Sequence, residues 1–154
     1  MVVTLDLADE AATARLAATL ARLAGPGDVF ALEGDLGSGK TALARAFIRT
    51  LAGDDEDVPS PTFTLAQIYD FDGGTIWHFD LYRLEKAQDA LELGIEDAFA
   101  EGISLIEWPD RLGGWLPVER LTVTLSPGPT PTARRARLTG SPAWTTRLQE
   151  TFGG

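Results

Sequence analysis

Eight residues limit what this chain can fold into more than any other stretch. Gly34-Asp35-Leu36-Gly37-Ser38-Gly39-Lys40-Thr41 fits the spacing G-x-x-x-x-G-K-[ST] of a P-loop. Gly34, Gly37 and Gly39 can enter backbone regions closed to other residues, so successive N–H groups can turn inward and cradle phosphate oxygens. Lys40 would reach the β and γ phosphates, and Thr41 would offer its hydroxyl to Mg²⁺. A helix starting at Gly39 or Lys40 would aim its positive dipole end at the same anion. With glycine at about 7% of residues, chance produces the pattern in on the order of one in a few hundred chains of this length. The flanks decide between a phosphate cradle and a glycine-rich surface loop. Val29-Phe30-Ala31-Leu32 is a short apolar run suited to a buried strand, and Ala42 to Ile48 carries apolar residues at helical spacing. Strand, glycine loop and helix are the context the motif requires.

Composition narrows the class. The chain has 154 residues, 44% of them hydrophobic, which is enough to bury a core and predicts one domain over residues 1–154. It has no cysteine, so disulfides, thiolate metal sites and thiol catalysis are excluded. Met1 to Asp6 lacks the basic region and apolar run of a signal peptide, and no stretch approaches membrane-spanning length. A cytoplasmic location is expected, with no membrane partner. The net charge of -10 repels nucleic acid over most of the surface, so no DNA partner is expected and RNA would be met through a basic partner. Arg134, Arg135 and Arg137 form the local basic cluster, and Lys40 is one of only two lysines, with Lys86.

The remaining pattern predicts an α/β fold: a P-loop NTPase-like mixed sheet, with a parallel core, an antiparallel hairpin and edge strands, flanked by helices. Val2 to Leu5 reads as a strand, and Asp9 as the N-cap of a helix running to about Ala24, with Leu16, Leu20 and Leu23 on one face. Gly25-Pro26-Gly27 stops it. Asp28 to Glu33 is the strand feeding the P-loop, and Lys40 to about Leu51 is the helix leaving it. Gly53 to Asp57 is a solvated acidic loop. In Val58 to Leu65, two prolines hold the backbone extended, and Thr62 or Thr64 is placed either to sense a γ-phosphate or merely in a rigid connector.

Leu65 to Tyr69 and Thr75 to Phe79 pair as a hairpin through Asp72-Gly73-Gly74. Glu85 to Leu93 and Ile95 to Ala100 are helical in pattern, separated by Gly94. Ile103 to Pro109 is an apolar strand carrying an acid near its end, and Leu121 to Leu125 alternates as a half-buried strand. After a Pro- and Gly-rich loop over 127–131, Ala133 to Leu138 is expected as a closing edge strand with its arginines facing out. Trp144 to Phe152 is expected as a terminal helix.

A P-loop enzyme needs an acid at the C-terminal end of a neighbouring strand to hold Mg²⁺ and orient the attacking group. Asp80 and Glu107 both close apolar runs and so belong at the mouth where such sheets bind ligands. Mg²⁺ prefers oxygen ligands, and Thr41 with one or both carboxylates is the expected set.

Four segments in this order resemble the bacterial TsaE (YjeE) family: Gly34 to Thr41, Ser60-Pro61-Thr62-Phe63-Thr64-Leu65, His78-Phe79-Asp80-Leu81-Tyr82-Arg83 and Ile106-Glu107-Trp108-Pro109. The likeness runs from about Asp9 to Leu138. It implies a small P-loop ATPase that takes part in making the threonylcarbamoyl modification of adenosine 37 in tRNA. It places Leu36, Gly37, Ser38, Gly39, Lys40 and Thr41 on the ATP phosphates, with Thr41 and Glu107 on Mg²⁺ and Asp80 near the metal or the water. By the same likeness Glu10 falls near the adenine, and Ala133-Arg134 lies in a late segment that also approaches the nucleotide. Lys40, Asp80 and Glu107 are thus the expected catalytic residues. His78, Tyr82, Arg83 and Trp108 match signature positions, with His78 read as structural in preference to a site residue.

The resemblance also implies the partners TsaD and TsaB, with ATP turnover driving a step in their complex. An arginine finger would come from Arg83 or from a partner, which implies slow turnover alone. Two other functions use the same motif. A small-molecule kinase would need a lid with phosphate-binding arginines, and between Leu84 and Gly102 acids outnumber bases. A non-hydrolysing, nucleotide-dependent interaction module would bind ATP only to shape a docking surface.

Overall fold

The computed structural model describes residues 1–61 and 64–153. Seven strands form one sheet: β1 (Val2–Leu7), β2 (Val29–Glu33), β3 (Ala66–Phe71), β4 (Gly74–Asp80), β5 (Ile103–Glu107), β6 (Leu121–Pro127) and β7 (Arg134–Gly140). Their order across the sheet is β1-β7-β6-β2-β5-β4-β3. The central pairs β6–β2, β2–β5 and β5–β4 are parallel, whereas β3–β4, β6–β7 and β7–β1 are antiparallel. The helices are α1 (Glu10–Leu23), α2 (Lys40–Ala52), α3 (Ile95–Glu101) and α4 (Thr145–Phe152).

Burial explains the middle of this order. Val29 to Leu32 of β2 and all of β5 are buried on both faces, as parallel strands covered by crossover helices must be. On one face, Phe30, Leu32, Leu105, Leu121 and Val123 pack with Leu16 and Leu20 of α1 and with Leu43 and Phe47 of α2. On the other, Val29, Phe79 and Ile106 pack with Ile95 and Ala98 of α3 and with Leu84, Ala90 and Leu112 from the connecting turns. Phe30 anchors the first cluster, edge-on to Phe47 at 5.0 Å and to Trp144 at 5.3 Å between ring centroids. Arg147 of α4 ties the helix ends down, donating to Asp28 Oδ2 at 2.6 Å and to the Leu23 carbonyl at 3.1 Å.

Local chemistry sets the ends of elements. Asp9 caps α1, its Oδ1 accepting from the Ala12 N–H at 2.9 Å. The β3–β4 hairpin turns at Asp72-Gly73, close to the expected position.

Three sequence expectations need correction. The segment before Gly94 is not α-helical but forms 3₁₀ turns over Ala87–Leu93, because it buries only Ala90 and has no apolar stripe to anchor a full helix. The strand expected to reach Pro109 stops at Glu107, where Trp108 turns into the left-handed region (φ 60°), followed by 3₁₀ turns over Pro109–Trp115. The segment read as a closing edge strand, β7, is interior: β1 covers its outer side, with Asp6 opposite Arg135 and their side chains 3.0 Å apart. Thr62, offered as a γ-phosphate sensor, lies outside the described residues.

The shared packing of Phe30 gives a first prediction. Phe30→Ala is expected to lower the unfolding free energy by about 3–5 kcal/mol, the range for a fully buried aromatic. Ile68→Ala, on the exposed side of edge strand β3, should stay within about 0.5 kcal/mol. Chemical denaturation of the two variants checks the pair.

Candidate functional site

The site is built where β2 ends and α2 begins. Gly34, Gly37 and Gly39 all have positive φ, at 147°, 77° and 103°. At Gly34 the need is also steric: a Cβ there would lie 2.5 Å from Ser38 Oγ and 2.6 Å from the Leu125 carbonyl oxygen. The loop closes through a Ser38 N–H to Asp35 carbonyl bond of 3.0 Å and enters α2 at Lys40.

Lys40 is 5% exposed. Its ammonium donates to the Gly34 carbonyl and, at 3.0 Å, to the Asp35 carbonyl, and lies 4.1 Å from the centre of the Trp108 ring. Burial pushes its pKa below the usual 10.5, while the nearby carboxylates of Glu107, Asp80 and Asp35 pull partly the other way.

The parallel register of β4 and β5 sets Asp80 directly beside Glu107. Glu107, 2% exposed, uses both oxygens: Oε1 accepts from the Thr41 hydroxyl at 2.8 Å, and Oε2 lies 2.7 Å from His78 Nε2. His78 is fully buried, and its Nδ1 has no hydrogen-bond partner among the described residues. A proton on Nε2 fits best, because it leaves Nδ1 as a bare acceptor rather than a buried, unpaired donor. Asp80, 6% exposed, accepts from the Tyr82 N–H at 3.1 Å. Leu36 to Ala42, Asp80, Glu107 and Trp108 line one pocket, so the expected phosphate loop and both acids come together.

The two outlying candidates fall elsewhere. Glu10, on the first turn of α1, does not line this pocket but a depression between α1 and α2 beside Arg45 and Arg49. Ala133 lines an apolar slot with Leu7, Ala8 and Pro129, which continues past Arg134 and Thr130 toward the P-loop. Arg134, which the likeness places with Ala133 near the nucleotide but which was expected to face out with the other arginines of its strand, instead contacts the P-loop. Its Nε donates to the Ser38 carbonyl at 2.7 Å and its Nη2 to the Gly37 carbonyl at 3.2 Å. The signal was available, since alternation puts Arg134 on the same face of β7 as the buried Ala136 and Leu138. His78 is structural in its burial, as expected, yet it also touches an acid of the site. Among the described residues no cluster of three or more His, Asp or Glu could hold a metal by itself, so a cation here would rely on Thr41 with few carboxylates.

Strand, glycine loop and helix, with carboxylates on the next strand ends, define a P-loop protein of the α/β class. The profile of the family described as threonylcarbamoyl adenosine biosynthesis protein TsaE matches residues 7–136. A TsaE protein of Rickettsia felis is 42% identical over 106 residues, 69% of this chain and 62% of its own length. One from Bacillus subtilis is 39% identical over 114 residues, 73% of this chain and 70% of its own. The crystal structure of Bacillus subtilis YdiB superposes with a TM-score of 0.80 at 30% identity, covering 97% of this chain and 93% of that one. The chain belongs to the TsaE family, and it spans somewhat less than two thirds of the length of the two Rickettsia relatives at 42% identity. No helix among the described residues is long and apolar enough to cross a membrane.

The lowered Lys40 pKa has a signed consequence. Between that lowered value and 10.5 the unfolded chain holds the proton that the folded chain has released, so this group makes stability rise with pH across the window. The stability of the wild-type chain relative to Lys40→Met should therefore increase with pH as the window is entered and traversed up to 10.5. Paired urea titrations at several alkaline pH values check it, and a constant difference would contradict the burial of the charge.

Proposed function

We propose that this chain binds ATP and Mg²⁺, hydrolyses the γ-phosphate, and serves as the ATPase in the making of tRNA threonylcarbamoyladenosine, acting on TsaD and TsaB. Family membership supports the pathway. The observation that carries the chemistry is the Thr41–Glu107 hydrogen bond of 2.8 Å, which joins the end of the P-loop to a carboxylate 66 residues away. A threonine hydroxyl and strand-end carboxylates are all hard oxygen donors, a set that fits Mg²⁺.

In this reading the N–H groups of Leu36 to Thr41 and the Lys40 ammonium bind the phosphates. Lys40 would leave the Gly34 and Asp35 carbonyls to do so. Thr41 and Glu107 hold the cation, with Asp80 beside them. Mg²⁺ would neutralise charge on the β and γ oxygens, which matters because a triphosphate entering here meets two carboxylates. Glu107 already engages Thr41 and His78, an arrangement suited to holding a metal. Asp80 is the residue we assign to orient the attacking water. The adenine end would occupy the apolar slot of Leu7, Ala8, Pro129 and Ala133. The chain between Leu84 and Gly102 has Lys86 as its only base and packs Ala90, Ile95 and Ala98 against the sheet, which argues against a kinase lid.

Lys40→Ala should abolish nucleotide binding. Asp80→Asn should keep it while slowing phosphate release by about 10²–10³-fold, the usual loss for a group acting in the transition state. Phosphate release by the chain alone and with the TsaD–TsaB complex, without any acceptor substrate, is the measurement. Normal turnover in Asp80→Asn would remove Asp80 from its role. Undiminished tRNA modification by a Lys40→Ala chain that binds no nucleotide would overturn the ATPase reading.

A further inference from the structure

Among the described residues, Arg134 spends its donors on backbone carbonyls alone. Besides Ser38 and Gly37, its Nη1 donates to the Pro131 and Ala133 carbonyls, each at 2.8 Å. No carboxylate lies within ion-pair distance of it among the described residues. It reaches the P-loop from 96 residues away, because β7 runs antiparallel to β6 and so starts at the edge where the parallel strands end. Gly39 lies against the guanidinium: a Cβ there would be 3.6 Å from Arg134 Nε.

The direction of these bonds matters. In a trans peptide, C=O and N–H point to opposite sides. Holding the Ser38 carbonyl outward therefore turns the Gly39 N–H inward, toward the pocket lined by Leu36 to Ala42. An isolated glycine-rich turn would sample both orientations of that peptide and lose them on binding. A guanidinium, with its donors fixed in a planar fork, can span two successive carbonyls, whereas a lysine ammonium presents one point of charge.

We propose that Arg134 is a positioning residue for nucleotide binding: it holds the Ser38 carbonyl outward, with the Gly37 carbonyl as a second anchor, so that the Gly39 N–H stays turned toward phosphate. This rests on the reading of the loop as a phosphate cradle. Phosphate contact with Arg134 is not required; its effect passes through the loop.

The test compares wild type, Arg134→Gln, Arg134→Lys and, as a control on the exposed face of the same strand, Arg137→Gln. Two readouts are needed: Kd for ADP and ATP, and amide hydrogen exchange in the nucleotide-free protein. Arg134→Gln should weaken both nucleotides by a similar factor of about tenfold or more, Arg134→Lys should recover only part of this, and Arg137→Gln should bind as wild type does. Exchange should speed up over residues 36–40 and stay unchanged in the β1–β7 and β6–β7 pairs. Faster exchange through those strands, with the loop unaltered, would make Arg134 a sheet residue and overturn the proposal. Wild-type binding matched by Arg134→Gln would overturn this proposal alone. Wild-type protein that binds neither nucleotide would overturn the reading of the site, and this proposal with it.

Discussion

The register of β4 against β5 is the constraint on which the site depends. Side chains alternate along a strand, and Ile76, His78 and Asp80 share one face of β4, as Ile103, Leu105 and Glu107 share one face of β5. Ile76, Ile103 and Leu105 belong to the core under α1 and α2. The burial of those three therefore decides that both acids, and the histidine between them, emerge on the side where α2 delivers Lys40 and Thr41. A slip of β4 by one residue would bury Trp77 and Phe79 under α2 and send His78 and Asp80 to the face opposite Glu107. Hydrophobic packing at the middle of the sheet thus fixes polar geometry at its end, and His78 adds a brace from one strand to the other through Glu107.

Lys40 shows how a charge can be kept at 5% exposure without a direct ion pair to any described residue. Its proton-bearing nitrogen is met by two loop carbonyls and by the face of Trp108, while the carboxylates of Glu107, Asp80 and Asp35 act at longer range. A cation over an indole contributes about 0.5–2 kcal/mol depending on desolvation. Trp108 itself sits at φ 60°, a costly region for a bulky residue. Strain of that kind costs about 1–3 kcal/mol. Its ring packs on Tyr82, 4.9 Å between centroids, as well as on Lys40. Ending β5 with a left-handed residue turns the chain away from the sheet directly after Glu107, which leaves the mouth above the strand ends open.

Much of this was legible in the sequence because the signals were local. The glycine spacing gave the loop, apolar runs gave β2 and β5, Asp9 gave a helix start, and acids closing apolar runs gave Asp80 and Glu107. What was not legible depended on pairing between distant segments. The Glu107–His78 contact follows from strand register, which spacing along the chain does not contain. The interior place of β7 depends on the N-terminal strand returning to cover it. Glu10 was placed by likeness alone; it lines a depression with Arg45 and Arg49 and does not line the P-loop pocket. The 3₁₀ turns at 87–93 have the composition of a helix, and only the lack of buried area distinguishes them.

The antiparallel flank presents its residues to the site by a different rule from the parallel core. In a sheet of parallel strands, every strand meets the ligand edge with its last residue, so a search for site residues looks at strand ends. A strand inserted antiparallel reverses the rule: its first residue lies at that edge. Arg134 opens β7 opposite Pro127, the last residue of β6, and opposite Leu7, the last of β1. It also lies on the strand's buried face, where an arginine must find acceptors or lose more in desolvation than it gains in packing. It finds them in the Pro131 and Ala133 carbonyls of its own approach and in the Ser38 and Gly37 carbonyls of the glycine loop, which have no partners in regular structure because the loop is neither helix nor strand. A cation that needs acceptors and a loop that needs its carbonyls held therefore satisfy one another, and the two outer strands are joined physically to the phosphate loop through that one side chain.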